Sequence, residues 1–512
     1  MLRLALRYRA PLARATVWSV LFLASVPASP RAQTPDRLSL QGVIDAALTG
    51  NTQIRNERLR AEGSRGQLIT RSGPFDVQVQ STVQQSQDKK LITPDQFALE
   101  HGTTYQIALV RQLHSGITLS PTVQVTSSRY ALPGALTYGS ASAALKMVVP
   151  LMYDRGGAVT TTAVRVAELD FETVMGSWRA TVSTGVNAAV NAYWEYVASI
   201  DGLSVQRDAE SRAQQLLDRT TQLVEKQERA ASDLQQLRAT VAARRSARIL
   251  AEQTVDQARV QLGTLMGLDA ANVLAIGAPA TAFPQPVDAM VSSPASIARL
   301  EELARTLRPD LAAQRVSNRA WELELEQFRR AQQPRFDLNI NVGYEGYTQG
   351  PGHDQLVSPL YRNVPGLNAT VQLQYAVDVA NSAARGRVVS EEASVNQQRL
   401  ALRDAERQIV TDVRLAALGV DRGTTALRES ETAVALFRVS VGNEQRKLQL
   451  GMNTLFDVLN AEEALTNALL TAINNRRSYA VGLSMLRLAT GTFADLSGAV
   501  PSVDAARLLT QP

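Results

Sequence analysis

The chain repeats itself at long range. Leu262-Gly-Thr-Leu-Met-Gly267 returns as Leu486-Arg-Leu-Ala-Thr-Gly491, and Ser232-Asp-Leu234 returns as Phe456-Asp-Val458. From 267 to 491, and from 233 to 457, the shift is the same 224 residues. Nearer the start, Gly50-Asn-Thr-Gln-Ile54 matches Leu307-Arg-Pro-Asp-Leu311, and from 54 to 311 the shift is 257. A duplication of this length predicts two similar units that pack as a pair. The fall from 257 to 224 leaves the first unit about 33 residues longer than the second.

Each unit reads as helix, strand, strand, helix. In the first unit (39–267), apolar residues Leu40, Val43, Ile44, Ala47 and Leu48 recur at helical spacing after Ser39, predicting a helix over 39–72 that stops at Gly73-Pro74. Phe75 to Val83 then alternates apolar and polar side chains, as a two-faced strand does, and so does Ala141 to Leu151. The second unit (297–491) follows the same plan. A helix over 297–331 is followed by alternating runs at Phe336 to Tyr344 and Leu367 to Val377, within 336–377. The extra residues lie between Val83 and Ala141. There Tyr105 to Leu113 and Ile117 to Val125, joined by His114-Ser-Gly116, predict an added hairpin over 104–126. A hairpin adds two strands and returns the chain to its original direction. Whether it joins the main sheet or projects from it stays open.

Long helices follow each strand set, over 158–266 and 385–490. No proline occurs from Leu151 to Ala278 or from Gly366 to Val500, and no glycine between Gly202 and Gly263. A single rod over 159–229 is about 100 Å long at ~1.5 Å per residue, which points to a coiled-coil or helical-barrel wall. Residues 268–296, with Pro279, Pro284, Pro286 and Pro294, read as an irregular linker. The tail 492–512 reads as loosely structured.

The net charge of +5 does not indicate nucleic acid. Residues 1–28 have the pattern of a secretory signal peptide: basic Arg3, Arg7, Arg9 and Arg14, an apolar run from Ala15 to Val26, and small residues at Val26-Pro-Ala28. Those four arginines, unaccompanied by acids, leave about +1 on the remainder, and no Lys/Arg block resembles a phosphate-binding face. The chain has no cysteine, so packing rather than disulfides must hold it. Beyond the signal, no stretch of 18 apolar residues appears. The exported chain is therefore soluble, or it enters a membrane as a β-barrel.

Strands of about ten residues match a membrane-spanning β-strand. Four such strands cannot close a barrel, and open edges in lipid leave backbone groups unsatisfied. Several copies must share one barrel, and three copies of four core strands give twelve. The rival reading from another class is a soluble periplasmic coiled-coil scaffold or adaptor protein. It accounts for the signal and the helices but gives the alternating strands no role.

The chain resembles the TolC-like outer membrane efflux protein family, through Leu40-Gln-Gly-Val-Ile-Asp-Ala-Ala-Leu48 with Asn51, Arg308-Pro-Asp-Leu311, and Pro150-Leu-Met-Tyr-Asp-Arg-Gly-Gly157. The most specific segment is Leu450-Gly-Met-Asn-Thr-Leu-Phe-Asp-Val-Leu-Asn-Ala-Glu462. The resemblance implies a mixed α/β membrane protein, a homotrimer whose β-barrel in the outer membrane continues as a helical barrel through the periplasm. It implies work with a periplasmic adaptor and an inner-membrane pump of RND, ABC or MFS type, with no enzymatic activity and no cofactor.

Leu450 to Asn460 reads as the tip of a helical hairpin. Gly451 can end one helix in the left-handed conformation. Thr454 can cap the next, with Asp457 at the reciprocal capping-box position. Ser232, with Gln235, is the corresponding candidate in the first unit, where Gln227 stands in place of the glycine. The resemblance makes Gly451, Thr454, Leu455 and Ser232 candidates for adaptor docking, and Asp457, Asp233 and Asn460 candidates for the tunnel entrance. Asp457 also has a purely local reading, as a helix-capping acid. The family's second constriction aspartate falls at Asn460, and its gate-linking tyrosine and arginine at Leu448 and Asn453, so this entrance is expected to be less acidic. His101, His114 and His353 fall in loops or turns without metal-ligand spacing. No phosphate loop, dinucleotide fingerprint, zinc motif or nucleophile elbow is present.

Overall fold

The computed structural model describes residues 37–512 except 88–90, 94–95, 98, 131–136, 228–229, 288–289, 351–357, 363–365, 497 and 499–500. The signal segment 1–28 and His353 lie outside the described residues.

Two rods set the scale. Helix α3 (Thr160–Glu225) has 66 residues and α8 (Ser382–Gln449) has 68. Each is about 100 Å long at ~1.5 Å per residue. Each turns back into a shorter antiparallel partner, α4 (Ser232–Leu265) and α9 (Leu455–Ala489) respectively. Toward these turns the four stand side by side in the order α4, α3, α9, α8. Toward the sheet, the places of α4 and α9 are taken by α2 (Thr52–Ser72) and α7 (Pro309–Arg330), in the order α2, α3, α7, α8.

The helix expected over 39–72 is two helices, α1 (Leu40–Gly50) and α2, parted at Asn51. Asn51 leaves the helical region (φ −62°, ψ 121°). Its carboxamide oxygen accepts from the amides of Gln53 and Ile54, and its Nδ2 donates to the Leu265 carbonyl at 3.0 Å. A strong N-capping residue inside a helical pattern restarts the helix. The helix expected over 297–331 starts at Pro294 and is likewise two, α6 (Pro294–Leu307) and α7, parted at Arg308. The residue before Pro309 is pushed to extended backbone, and proline then occupies the first helical turn. Each break abuts the end of a long helix. Gly267 (φ +73°) lies so close to Gly50 that a Cβ there would come within 2.1 Å of the Gly50 carbonyl oxygen. Gly491 (φ +73°) would bring one within 2.8 Å of the Arg308 nitrogen.

Residues 268–296 are not wholly irregular. They carry α5 (Ala270–Leu274) and a short strand, β8 (Ala278–Pro279), parallel to β1 (Arg37–Leu38). Phe283 is buried and stacks on Trp194 with ring centroids 5.3 Å apart. The tail is also not loose. Val503 and Leu508, the latter in α10 (Ala505–Leu508), are buried, and α10 packs on α1 and α9. Arg487, itself buried, donates to the Thr510 carbonyl and hydroxyl and to the Gln511 carbonyl, each at 3.0 Å.

The main sheet has six strands: β2 (Gln78–Ser86), β5 (Leu99–Gln112), β6 (Thr118–Tyr130), β7 (Thr137–Pro150), β9 (Arg335–Gln349) and β10 (Leu367–Ala376). They lie in the order β10, β9, β7, β6, β5, β2, every neighbouring pair antiparallel. A separate small hairpin, β3 (Leu91–Thr93) and β4 (Gln96–Phe97), sits between β2 and β5 in sequence. The added hairpin therefore joins the main sheet, between β2 and β7. The expectation of four core strands with an optional hairpin becomes six strands in one layer. The hairpin turn sits at the foot of the sheet, where His114 stacks on Phe75 at 4.1 Å and Gln112 Nε2 donates to the Thr160 hydroxyl at 3.1 Å. Asp154, buried beside it, accepts from the amides of Val159 and Thr160 and so receives the start of α3.

Candidate functional site

Two surfaces are set up by this fold: the faces of the sheet and the tips of the helical hairpins. Strand pairing has period two, so register decides each face. One face runs across all six strands as Val79, Leu109, Pro121, Leu145, Val342 and Ala369. The parallel row of Ile107, Val123, Ala143 and Tyr344 continues it, ending at Leu367. The opposite face carries Gln80, Thr82, Gln106, Thr122, Gln124, Ser142, Asn341, Thr370 and Gln372. The apolar face is exposed in the single chain: Ile107 retains 56% and Val371 69% of its accessible surface. Among the described residues no helix is long and apolar enough to cross a membrane.

At the tip between α8 and α9, Gly451 has φ +72°. Its amide donates to the Leu448 carbonyl at 3.2 Å, and the Met452 amide donates to that of Lys447 at 2.9 Å, satisfying the last carbonyls of α8. Thr454 then opens α9 with a complete capping box. Its hydroxyl accepts from the Asp457 amide at 3.4 Å, and Asp457 Oδ2 accepts from the Thr454 amide at 2.9 Å and from its hydroxyl at 2.6 Å. The hydroxyl bond first, and the Thr454 amide second, hold the Asp457 carboxyl below its ordinary pKa of 3.8. Leu455 is buried under the tip. Leu450 and Met452, each 73% exposed, and Phe456 are presented outward. Asp457 and Asn460 are also exposed. Asn453 Nδ2 donates to Glu444 Oε2 at 2.7 Å and to the Glu444 carbonyl at 3.0 Å, bracing the turn against α8.

The other tip is built differently. Gln227 takes the left-handed position, at φ +62°, with its amide donating to the Val224 carbonyl at 2.9 Å. Ser232 does not cap α4; it is the first helical residue and follows Ala231, whose φ −62° and ψ −22° are already helical. The chain enters α4 through a tight turn in which the Asp233 and Leu234 amides donate to the carbonyls of Ala230 and Ala231. No side chain caps the start of α4.

Between the two tips a cleft of about 350 Å³ is lined by Arg212, Leu216, Asp233, Leu448, Leu455 and Glu462, among others. Across it Arg212 Nε, on α3, meets Glu462 Oε2, on α9, at 2.7 Å, and Gln445 Nε2, on α8, donates to Glu462 Oε1 at 3.0 Å. Both ionic side chains are partly buried. Leu448 lines this cleft, while Asn453 is held by Glu444 on its own hairpin. The tie between the two hairpins thus falls at residues that sequence reasoning passed over. Glu462 closes the most specific motif of the chain, which was the available signal. Arg212, 250 residues away, had none.

No family model matches the chain. Among curated proteins it is similar to the outer membrane protein TolC of Escherichia coli (strain K12), with 26% identity over 313 residues. The match covers 59% of this chain and 60% of TolC, so it spans less than two thirds of that relative. Among solved structures it is similar to the CmeC outer membrane channel of Campylobacter jejuni, with a TM-score of 0.68, 14% identity, and coverage of 88% of this chain and 85% of that one. It is similar to the outer membrane protein VceC of Vibrio cholerae, with a TM-score of 0.66, 15% identity, and coverage of 88% and 96%. It is also similar to CusC, with a TM-score of 0.65, 15% identity, and coverage of 88% and 92%. At these identities the structures speak for the fold.

Proposed function

We propose that this chain, a TolC homologue with the fold of the outer membrane channels, forms a homotrimeric channel in the outer membrane of a Gram-negative bacterium. Its helices extend into the periplasm. The observation that carries this reading is the two-faced sheet. An apolar face left largely uncovered across six strands, apart from the turn Ser358–Leu360 lying over Ala141 and Gly346, suits lipid, and a face of Gln, Asn, Ser and Thr suits a wet lumen. A soluble scaffold leaves that apolar face in water, where a patch of this extent promotes aggregation.

In this reading a periplasmic adaptor docks at the tips, on exposed Leu450, Met452 and Phe456, over the turn shaped by Gly451, Thr454 and Leu455, and beside Ser232 at the start of α4 on the other hairpin. An inner-membrane pump of RND, ABC or MFS type supplies the substrate. Asp457, Asp233 and Asn460 face the tunnel entrance, where three copies of Asp457 make a ring favouring cations. The Arg212–Glu462–Gln445 tie holds the two hairpins of each copy together and resists opening. Sarkosyl fractionation tests the reading: the protein is expected in the insoluble outer-membrane fraction as a trimer, and its release as soluble protein overturns it.

A further inference from the structure

The six-strand sheet carries a consequence for the width of the pore, which rests on the channel reading above. Among the described residues, both outer strands, β2 and β10, have one unpaired edge. Five antiparallel steps separate them, so they run in opposite directions. The β2 edge of one copy therefore meets the β10 edge of the next as an antiparallel pair, and their lengths of 9 and 10 residues match. Lipid tolerates no open edge, which commits both edges to further copies of this chain.

We propose that three copies close an eighteen-strand barrel, β2 of each pairing with β10 of the next, with the added hairpin built into the wall rather than standing outside it. The helical layer supports the count. Four helices abreast, about 9 Å apart, occupy roughly 36 Å of circumference per copy. Six strands about 4.8 Å apart, tilted by about 40°, occupy roughly 38 Å, whereas four occupy only about 25 Å. The hairpin thus brings the sheet to the width of the helices beneath it. Barrel diameter grows with strand number, so the opening through the lipid is about half as wide again as that of a twelve-strand barrel at the same tilt.

The absence of cysteine makes engineered thiol pairs unambiguous. Three pairings are probed in outer-membrane preparations with a short bifunctional maleimide, scored by non-reducing gel and peptide mass spectrometry. Thr82→Cys with Gln106→Cys, register partners on β2 and β5, is expected to cross-link within a chain. Gln80→Cys combined in turn with Thr370→Cys, Gln372→Cys or Gln374→Cys is expected to yield a ladder that stops at three chains. Thr82→Cys with Ser140→Cys, Ser142→Cys or Ala144→Cys, on β7, is expected to stay unlinked, because three strand spacings of roughly 14 Å intervene. A membrane-embedded trimer in which β2 links to β7 and not to β5 overturns the eighteen-strand barrel and leaves the channel reading standing. A ladder closing at another number also overturns it. A soluble monomer without β2–β10 links overturns both.

Discussion

Gln227 and Gly451 occupy left-handed turns at the two hairpin tips, and only one of them is a glycine. A residue with a Cβ pays about 1–2 kcal/mol there. Glycine in its place gives back part of that in unfolded-chain entropy, about 0.5–1 kcal/mol. Gln227→Gly is therefore expected to stabilise the chain by about 0.5–1 kcal/mol, read as a higher thermal midpoint, and a lower midpoint contradicts it. Asp457 makes a second residue-scale case. Hydrogen bonds from Thr454 depress its carboxyl, so the capping contribution is present above the ordinary pKa of 3.8 and is lost only as pH falls through a lower value. Cation block at the tunnel mouth is expected to persist at pH 3.8, where an unperturbed aspartate is half protonated, and to be weakened in Asp457→Ala at neutral pH. Single-channel recordings with and without divalent cations decide it, and unchanged block in the variant sinks the assignment.

At the scale of elements, the tie across the tip cleft is the feature with a measurable strength. Arg212 and Glu462 retain 31% and 15% exposure, so the pair is discounted for solvent and contributes on the order of 1 kcal/mol at most. Arg212→Ala is expected to raise the open population of the channel by up to about five-fold, seen as greater conductance, while Arg245→Ala, on the exposed flank of α4, leaves it unchanged. This scale also shows how far sequence reasoning reaches. Alternation marked every strand of the main sheet, because period two is a local property of the chain. The rods were legible from the long stretches without proline. The breaks at Asn51 and Arg308 were drawn through, although the capping Asn51 and Pro309 mark both, because apolar periodicity continues across them. The tie at Arg212 and the packing of residues 503–508 on α1 depend on partners hundreds of positions away, and no local pattern encodes them. For the same reason, the destination of the hairpin needed the register.

For the whole molecule, the division of the sheet into a lipid face and a lumen face makes opposite demands on adjacent residues. Val371→Arg puts a charge on the apolar face of β10 and is expected to cost about 2–4 kcal/mol if it lies near the bilayer midplane. Gln372→Arg, one residue on and facing the other way, is expected to cost little. Outer-membrane yield and urea unfolding in micelles compare the two, and equal effects contradict the sidedness. The far ends of the described chain bear on how such an object is made. Gln41 donates to the Val503 carbonyl at 3.2 Å, and the Ala505 amide donates back to Gln41 at 2.9 Å, contacts spanning 462 and 464 positions. Neither bond can form before residues 503 and 505 reach the compartment in which residue 41 folds. Residues 503–511 thus act as a stitch across the molecule: α1 gains this partner only after both repeats lying between them are present.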